Sequence, residues 1–223
     1  MSKSLLSDRP EWLAPMSDPK SELILRAAFD VFQEHGLHNA TMLDVAKRAR
    51  VSKETIYTRF DSKEDLFYAL IAWGTRQSSL SGGGLAQDPI ADPVAELRAV
   101  ARALIASMMH PESLACYRMA ISESGRNPEI GRTFDELGCA EGDEAIGRVF
   151  DALLERGMIE PAPMDELRDT LIGMVRGNYH HSRLSGSRPM PSDEENLARA
   201  DRVVELFLRA YAPVAAAKKA EAA

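Results

Sequence analysis

Apolar residues recur at three- and four-residue intervals along most of this chain, and strand-type alternation is nowhere sustained. That pattern predicts an all-α protein. Asp18-Pro19 offers a cap and a proline for the first helical position. Ile24, Ala27, Ala28, Val31 and Phe32 continue the stripe, and Gly36 predicts a left-handed stop. Thr41, with Asp44 three residues on, is close to a capping box. Leu43, Val45, Ala46 and Ala49 give the second helix an inward face. Ser52 caps a third helix running through Ile56, Tyr57 and Phe60. Ala49-Arg50-Val51 is then a tight turn, with Val51 plugging the space between helices. Ser62 with Asp65 caps a fourth helix, to about Ser79.

Gly82-Gly83-Gly84 breaks that helix, and a loop continues to Asp92-Pro93. The glycines are no phosphate loop, because neither a preceding strand nor a following Gly-Lys-Ser/Thr is present. Val94, Leu97, Val100, Ala101, Leu104, Ile105 and Met108 mark the next helix, stopped by Pro111. Helices over Leu114–Glu123, Ile130–Arg156, Met164 to about Leu184 and Asp193–Tyr211 follow, with Gly157 capping the second of these. The expected organisation is a disordered arm over 1–17, a three-helix unit with its linking fourth helix over 18–80 and a loop over 81–92. A larger bundle over 93–213 and a frayed tail over 214–223 complete it. The arm carries Lys3, Arg9 and Trp12. Plain disorder is the expected reading, and entry of its two cations into a DNA minor groove is the alternative.

Two short helices across a tight turn can set the second in a DNA major groove. A third helix of about eight residues is held by packing rather than by its own propensity. Its outward residues, Lys53, Glu54, Thr55, Tyr57, Thr58 and Arg59, are thus free to touch a ligand. Hydroxyls and cations suit phosphates and base edges, although a solvated face of a small helical domain reads the same way. The net charge of −7 argues against a coating protein. Residues 41–63 nevertheless carry six cations, Lys47, Arg48, Arg50, Lys53, Arg59 and Lys63, against Asp44, Glu54 and Asp61. The acidic excess lies in residues 81–223, so a small basic face sits on an acidic body.

The combination Ile24-Leu25-x-Ala27-Ala28-x-x-x-Phe32-x-x-x-Gly36, then Ala40-Thr41-Met42-x-x-Val45-Ala46-x-x-Ala49, then Val51-Ser52-Lys53-x-Thr55-Ile56-Tyr57-x-x-Phe60-x-Ser62-Lys63-Glu64-x-Leu66-Phe67 resembles the N-terminal domain of the TetR/AcrR family. The resemblance spans about residues 20–75. It implies a ligand-responsive, dimeric transcriptional repressor acting on a palindromic double-stranded DNA operator. It implies that Thr41 meets a phosphate and that Ser52, Lys53, Thr55, Tyr57 and Thr58 lie in or beside the major groove. Tyr57 would reach the backbone, and Lys63 would contact a phosphate from outside. Ile56 and Phe60 would be core. Two residues depart from the pattern. Arg50 stands where the family carries Gly, at the cost of about 1 kcal/mol or more if its φ is positive, and can add a phosphate contact. Glu54 stands where the family carries Gly or another small residue. It can accept from cytosine N4 or pair with a neighbouring cation.

Tyr117-Arg118-x-x-Ile121-x-Glu123, with Pro128 and Phe134, resembles the family's C-terminal domain more loosely. That implies a small-molecule effector site and a dimer interface on the last two helices. Trp73, Leu104, Met108, Tyr117, Ile121, Phe134, Phe150, Met174 and Tyr179 are the pocket candidates, rich in adaptable Met and aromatic side chains, although residue by residue ordinary core packing is the stronger reading for the Met side chains. Leu171, Val175, Val203, Leu206 and Phe207 are the interface candidates, with Gly173 and Gly177 permitting close approach; a fully buried role within one chain is the alternative.

No metal or other cofactor is expected. Adjacent His180 and His181 point about 100° apart on a helix, and Cys116 and Cys139 read as small buried hydrophobes rather than a redox switch. No run approaches the ~20 apolar residues of a membrane span, and Met1–Leu6 lacks a signal-peptide h-region. The cytoplasm is the expected compartment. No nucleophile–base pair or cofactor loop is visible, so an enzyme on a helical bundle is the weakest reading. An architectural or interaction factor that keeps the fold without strong operator specificity is the runner-up.

Overall fold

The computed structural model describes residues 18–77 and 90–213, with the side chains at 74–77 and 136–143 left aside. The expected arm with Lys3, Arg9 and Trp12, most of the 81–92 loop, the 214–223 tail and the Cys139 side chain lie outside the described residues. Nine helices make up the described residues: α1 (Pro19–Asn39), α2 (Met42–Ala49), α3 (Lys53–Tyr57), α4 (Lys63–Gln77), α5 (Pro93–Met109), α6 (Pro111–Ser124), α7 (Pro128–Glu155), α8 (Met164–Leu184) and α9 (Asp193–Ala210). No strand occurs among them. The fold is all-α.

The helix ends follow local chemistry. Asp18 caps α1 by accepting from Lys20 N and Ser21 N at 2.9 and 3.2 Å. Gly36 interrupts α1 with φ 71° and ψ 158°. Its φ is positive, as expected, but its ψ lies outside the left-handed helical region, in territory essentially reserved for glycine. Pro111 both closes α5 and opens α6. Gly157, with φ 61°, ends α7. There Met158 N donates to Leu153 O at 2.9 Å, the outer bond of a Schellman turn.

The chain forms two compact units, and their boundary differs from the one expected between residues 80 and 93. The first unit joins Met1–Gln77 to Pro111–Ala140; the second joins Ser78–His110 to Glu141–Ala223. The cause lies in α4. Leu66, Phe67, Ala69, Leu70, Ile71, Ala72 and Trp73 are all buried, so α4 is apolar on more faces than α1 alone covers. Ala120 of α6 and Ile130 of α7 complete that core, with Met119 and Phe134 against it. Phe32 and Phe67 meet edge-on at 5.7 Å.

In the second unit α5, α7, α8 and α9 close around Leu97, Ile105, Phe150, Leu171, Val203 and Phe207. Phe150 and Phe207 stack at 5.3 Å, and Tyr211 lies 4.9 Å from Phe207. Arg156 donates to the carbonyls of Ile90 and Ala91 and ties the entry to α5 down to the end of α7. α8 breaks at Gly177, whose φ of 40° and ψ of −151° exclude other residues. Arg199 of α9 donates to Met174 O there. It also lies 5.6 Å from the Tyr179 ring, which Arg183 approaches to 4.3 Å.

The second unit corrects the interface expectation. Leu171, Val175, Val203 and Phe207 are fully buried within one chain, facing α5 and each other's helices; of the five candidates only Leu206 is partly exposed. Gly173 has open space at its Cβ position, and Gly177 serves the break in α8.

His180 is buried, and burial, then Arg176, then His181 push its imidazole down to about 4. The unfolded chain takes up a proton near pH 6.5, while the folded one stays neutral to about 4. The stability is therefore whole above pH 6.5 and falls as the pH drops from 6.5 towards 4, by about 1–3 kcal/mol from this group. Thermal scans at pH 7 and pH 5 should show a smaller acid loss in His180→Leu than in the parent protein; equal losses would remove His180 as the cause.

Candidate nucleic-acid interface

The interface is built from the ends of two short helices. Thr41 caps α2: Asp44 N donates to Thr41 Oγ1 at 3.2 Å, and Thr41 N donates back to Asp44 Oδ2 at 3.2 Å. The hydroxyl of Thr41 donates to the same carboxylate at 2.6 Å and is the main reason its pKa sits below the usual carboxylate value. α2 ends at Arg50, whose φ of 56° and ψ of 42° are left-handed and whose N–H reaches Ala46 O and Lys47 O. Val51 packs, half-buried, against the core.

Ser52 caps α3 by accepting from Thr55 N at 3.2 Å. α3 is shorter than its pattern predicts: regular helix ends at Tyr57, and Thr58 is its cap. Phe60 N still donates to Ile56 O at 3.0 Å, so the chain keeps turning and both apolar residues stay buried. They anchor an outer face where Ser52, Lys53, Glu54, Tyr57 and Thr58 are exposed. The Lys53 ammonium sits 5.7 Å from the Tyr57 ring centre. Glu54 is held below the usual carboxylate range by its own backbone N–H and the Ser52 hydroxyl, with Lys53 adding to both. It therefore presents an ionised acceptor beside a cation. Thr55 is half-buried, with its hydroxyl 3.1 Å from that of Ser52.

Two cations do not stand where the pattern puts them. Arg59 turns inward, with its guanidinium 3.6 Å from Asp18 Oδ1. Lys63 spends its ammonium on Leu37 O and His38 O, both at 2.8 Å, and Ala40 O at 3.4 Å. A phosphate contact by Lys63 would have to break these bonds. One feature escaped the sequence reading. Arg48 of α2 pairs with Glu34 of α1 through bonds of 3.0 and 2.6 Å, with Asp30 at 3.8 Å. It borders a groove of about 450 Å³ that Val31, His35, Asp44, Lys47 and Arg50 also line. Arg48 lies fourteen positions after Glu34, on a different helix, so helical spacing could not reveal the pair.

The left-handed backbone at Arg50 costs a residue with a Cβ about 1 kcal/mol or more. Arg50→Gly is expected to raise stability by about 0.5–1 kcal/mol, part of the gain being offset in the unfolded chain. Urea denaturation reads this directly, and an unchanged midpoint would show that the turn carries no strain.

The effector-site candidates do not gather in one unit. Trp73, Tyr117, Ile121 and Phe134 belong to the first; Leu104, Met108, Phe150, Met174 and Tyr179 belong to the second. Tyr117 and Phe134 meet edge-on at 4.7 Å. Ile121 is 57 % exposed, while Phe150 is fully buried in core packing. Cys116 is buried, and its thiol is pushed up to about 12 by burial, which makes it a hydrophobe rather than a thiolate.

Comparison with known proteins identifies the lineage of this arrangement. Residues 24–70 match the family model described as bacterial regulatory proteins of the tetR family, and residues 95–213 match that of the AefR-like transcriptional repressor C-terminal domain. An uncharacterized HTH-type transcriptional regulator of Mycobacterium tuberculosis is 30 % identical over 173 residues, covering 76 % of this chain and 80 % of its own. The regulator UidR of Escherichia coli is 40 % identical over 55 residues, 25 % of this chain and 28 % of its own. Among solved structures, a TetR-family regulator from Mesorhizobium loti superposes with a TM-score of 0.73 at 28 % identity, covering 87 % of this chain and 97 % of its own. The Flavonoid-responsive Regulator FrrA gives 0.67 at 26 %, covering 87 % and 98 %. With its capped helix-turn-helix and matches along both parts of its length, the chain belongs to the TetR family of DNA-binding transcriptional regulators, which are not enzymes.

Proposed function

We propose that the protein is a dimeric repressor that binds a palindromic operator through α3 and is released by a small-molecule effector held in its helical C-terminal region. The observation that carries the DNA half is the outer face of α3, where exposed Lys53, Glu54, Tyr57 and Thr58 stand on buried Ile56 and Phe60. Thr41 and the first N–H groups of α2 supply the phosphate contact. Repression is supported by the repressor-type C-terminal match. Effector response is supported by FrrA, whose name describes it as flavonoid-responsive. The dimer face would use what the second unit leaves open: Leu197, at 48 % exposed, partly exposed Ile172 and Leu206, and small Gly173 and Ala198. No helix among the described residues is long and apolar enough to cross a membrane.

Footprinting the purified protein on the DNA flanking its own gene tests the reading. Two protected half-sites about one turn apart, roughly 34–36 Å, that survive a large excess of random DNA are expected. A single protected site, or protection erased by competitor, would favour a factor that keeps the fold without reading sequence.

A further inference from the structure

We infer that Lys63 is a positioning residue for DNA binding: its ammonium ties the first turn of α4 to the backbone that leads into α2, and it does not meet a phosphate itself. The inference rests on the reading that the start of α2 contacts the DNA backbone.

Lys63 is the first residue of α4. A cation there faces the positive end of the helix dipole, which favours the acidic residues that follow, Glu64 and Asp65. Its ammonium has three N–H donors and no acceptor. The structure gives it three carbonyls: Leu37 and His38 at 2.8 Å and Ala40 at 3.4 Å. These carbonyls follow the break at Gly36, where helical bonding stops and main-chain acceptors need partners. Lys63 supplies them from a segment more than twenty residues away. Ala40 immediately precedes Thr41, the cap of α2. A displacement of the start of α4 is thus passed through one side chain to the N-terminus of α2. Ser62 fixes the other end, since Asp65 N donates to Ser62 Oγ at 3.0 Å.

The test uses the full-length protein and the tightest duplex that it recovers from a randomised DNA pool. Lys63→Met is expected to weaken binding by roughly tenfold, with an unchanged slope of log K against log salt between about 50 and 200 mM. Thr41→Val should also weaken binding. In the Thr41→Val background the Lys63 change should cost less than about twofold, because both act through one helix end. A purely structural role would leave the two losses independent. Lys63→Arg, which keeps the charge and the donors, should restore most of the affinity.

A slope reduced by about one per protomer in Lys63→Met would mean a direct phosphate contact and overturn the inference. Independent losses in the double variant, or no loss in Lys63→Met, would also overturn it. Should Lys63→Met not fold, Lys63→Gln, which retains two donors, takes its place in the same comparison. If the pool yields no duplex, the operator reading fails instead. The tether is then decided in the free protein, where Lys63→Met must lower the melting temperature by about 2 °C or more.

Discussion

Replacing Phe207 with alanine will cost about 3–5 kcal/mol of stability. Its ring has no solvent exposure, stacks on Phe150 at 5.3 Å and lies against Tyr211 at 4.9 Å. Removing it empties the centre of the second unit. Collapse into the space is opposed by Tyr211, which is held at three points. Its hydroxyl lies 2.9 Å from Thr170 Oγ1 and donates to Glu166 Oε1 at 3.2 Å, and its carbonyl accepts from Glu160 N at 2.8 Å. For a chain of this length each kcal/mol lowers the melting temperature by about 2–4 °C. Thermal or urea unfolding is the measurement. A loss under about 1 kcal/mol would show that the ring is not core and would return Phe207 to the reach of a partner subunit. Leu206→Ala is the control, because that side chain is partly exposed: its effect should fall on subunit association.

The second large effect belongs to the outer face of α3. Lys53→Ala and Tyr57→Ala should each leave stability within about 0.5 kcal/mol, since both side chains stand outside the core. Each should weaken binding to the selected duplex by about 30-fold or more, because a contact worth about 1–3 kcal/mol occurs twice in a dimer. Lys53→Ala should also reduce the salt slope if the ammonium meets phosphate. The 5.7 Å approach of the ammonium to the Tyr57 ring couples the two, so their double variant should lose less than the two losses combined. Changes under threefold for both would sink α3 as the recognition element.

What the sequence made legible is what short-range rules govern. The caps at Asp18, Thr41 and Ser52, the turn at Arg50 and the buried pair Ile56 and Phe60 each depend on residues within four positions, and each is where its spacing put it. The packing units cut across the loop expected at 81–92, which the two family matches flank, because α4 is more than a linker. Its run from Leu66 to Trp73 is apolar on nearly every face, a sign that it needs more than one packing partner. Four of the five interface candidates are core for a related reason: an apolar position says that a side chain will be covered, not which chain will cover it. Lys63 shows a third limit. A lysine beside a recognition element reads as a phosphate ligand, but the carbonyls that hold it lie in a turn more than twenty residues earlier. Arg48 and Glu34 were equally out of reach, as was the break at Gly177, beside which Arg199 of α9 donates to Met174 O.

Because neither unit is a continuous stretch of chain, synthesis runs ahead of packing. α5 is finished at Met109, while its partner α9 begins at Asp193, 84 residues later. At about 5–20 residues per second, the face of α5 that carries Leu97, Val100, Ala101 and Ile105 waits about 4–17 s for that partner. The first unit likewise stays open after α4 is made, until α6 and the start of α7 arrive. A ribosome paused late in α8, once α6 and the start of α7 have left its exit tunnel, would hold a chain with the first unit's segments all free and the second unit's core still open for want of α9, a state in which chaperone capture and aggregation compete.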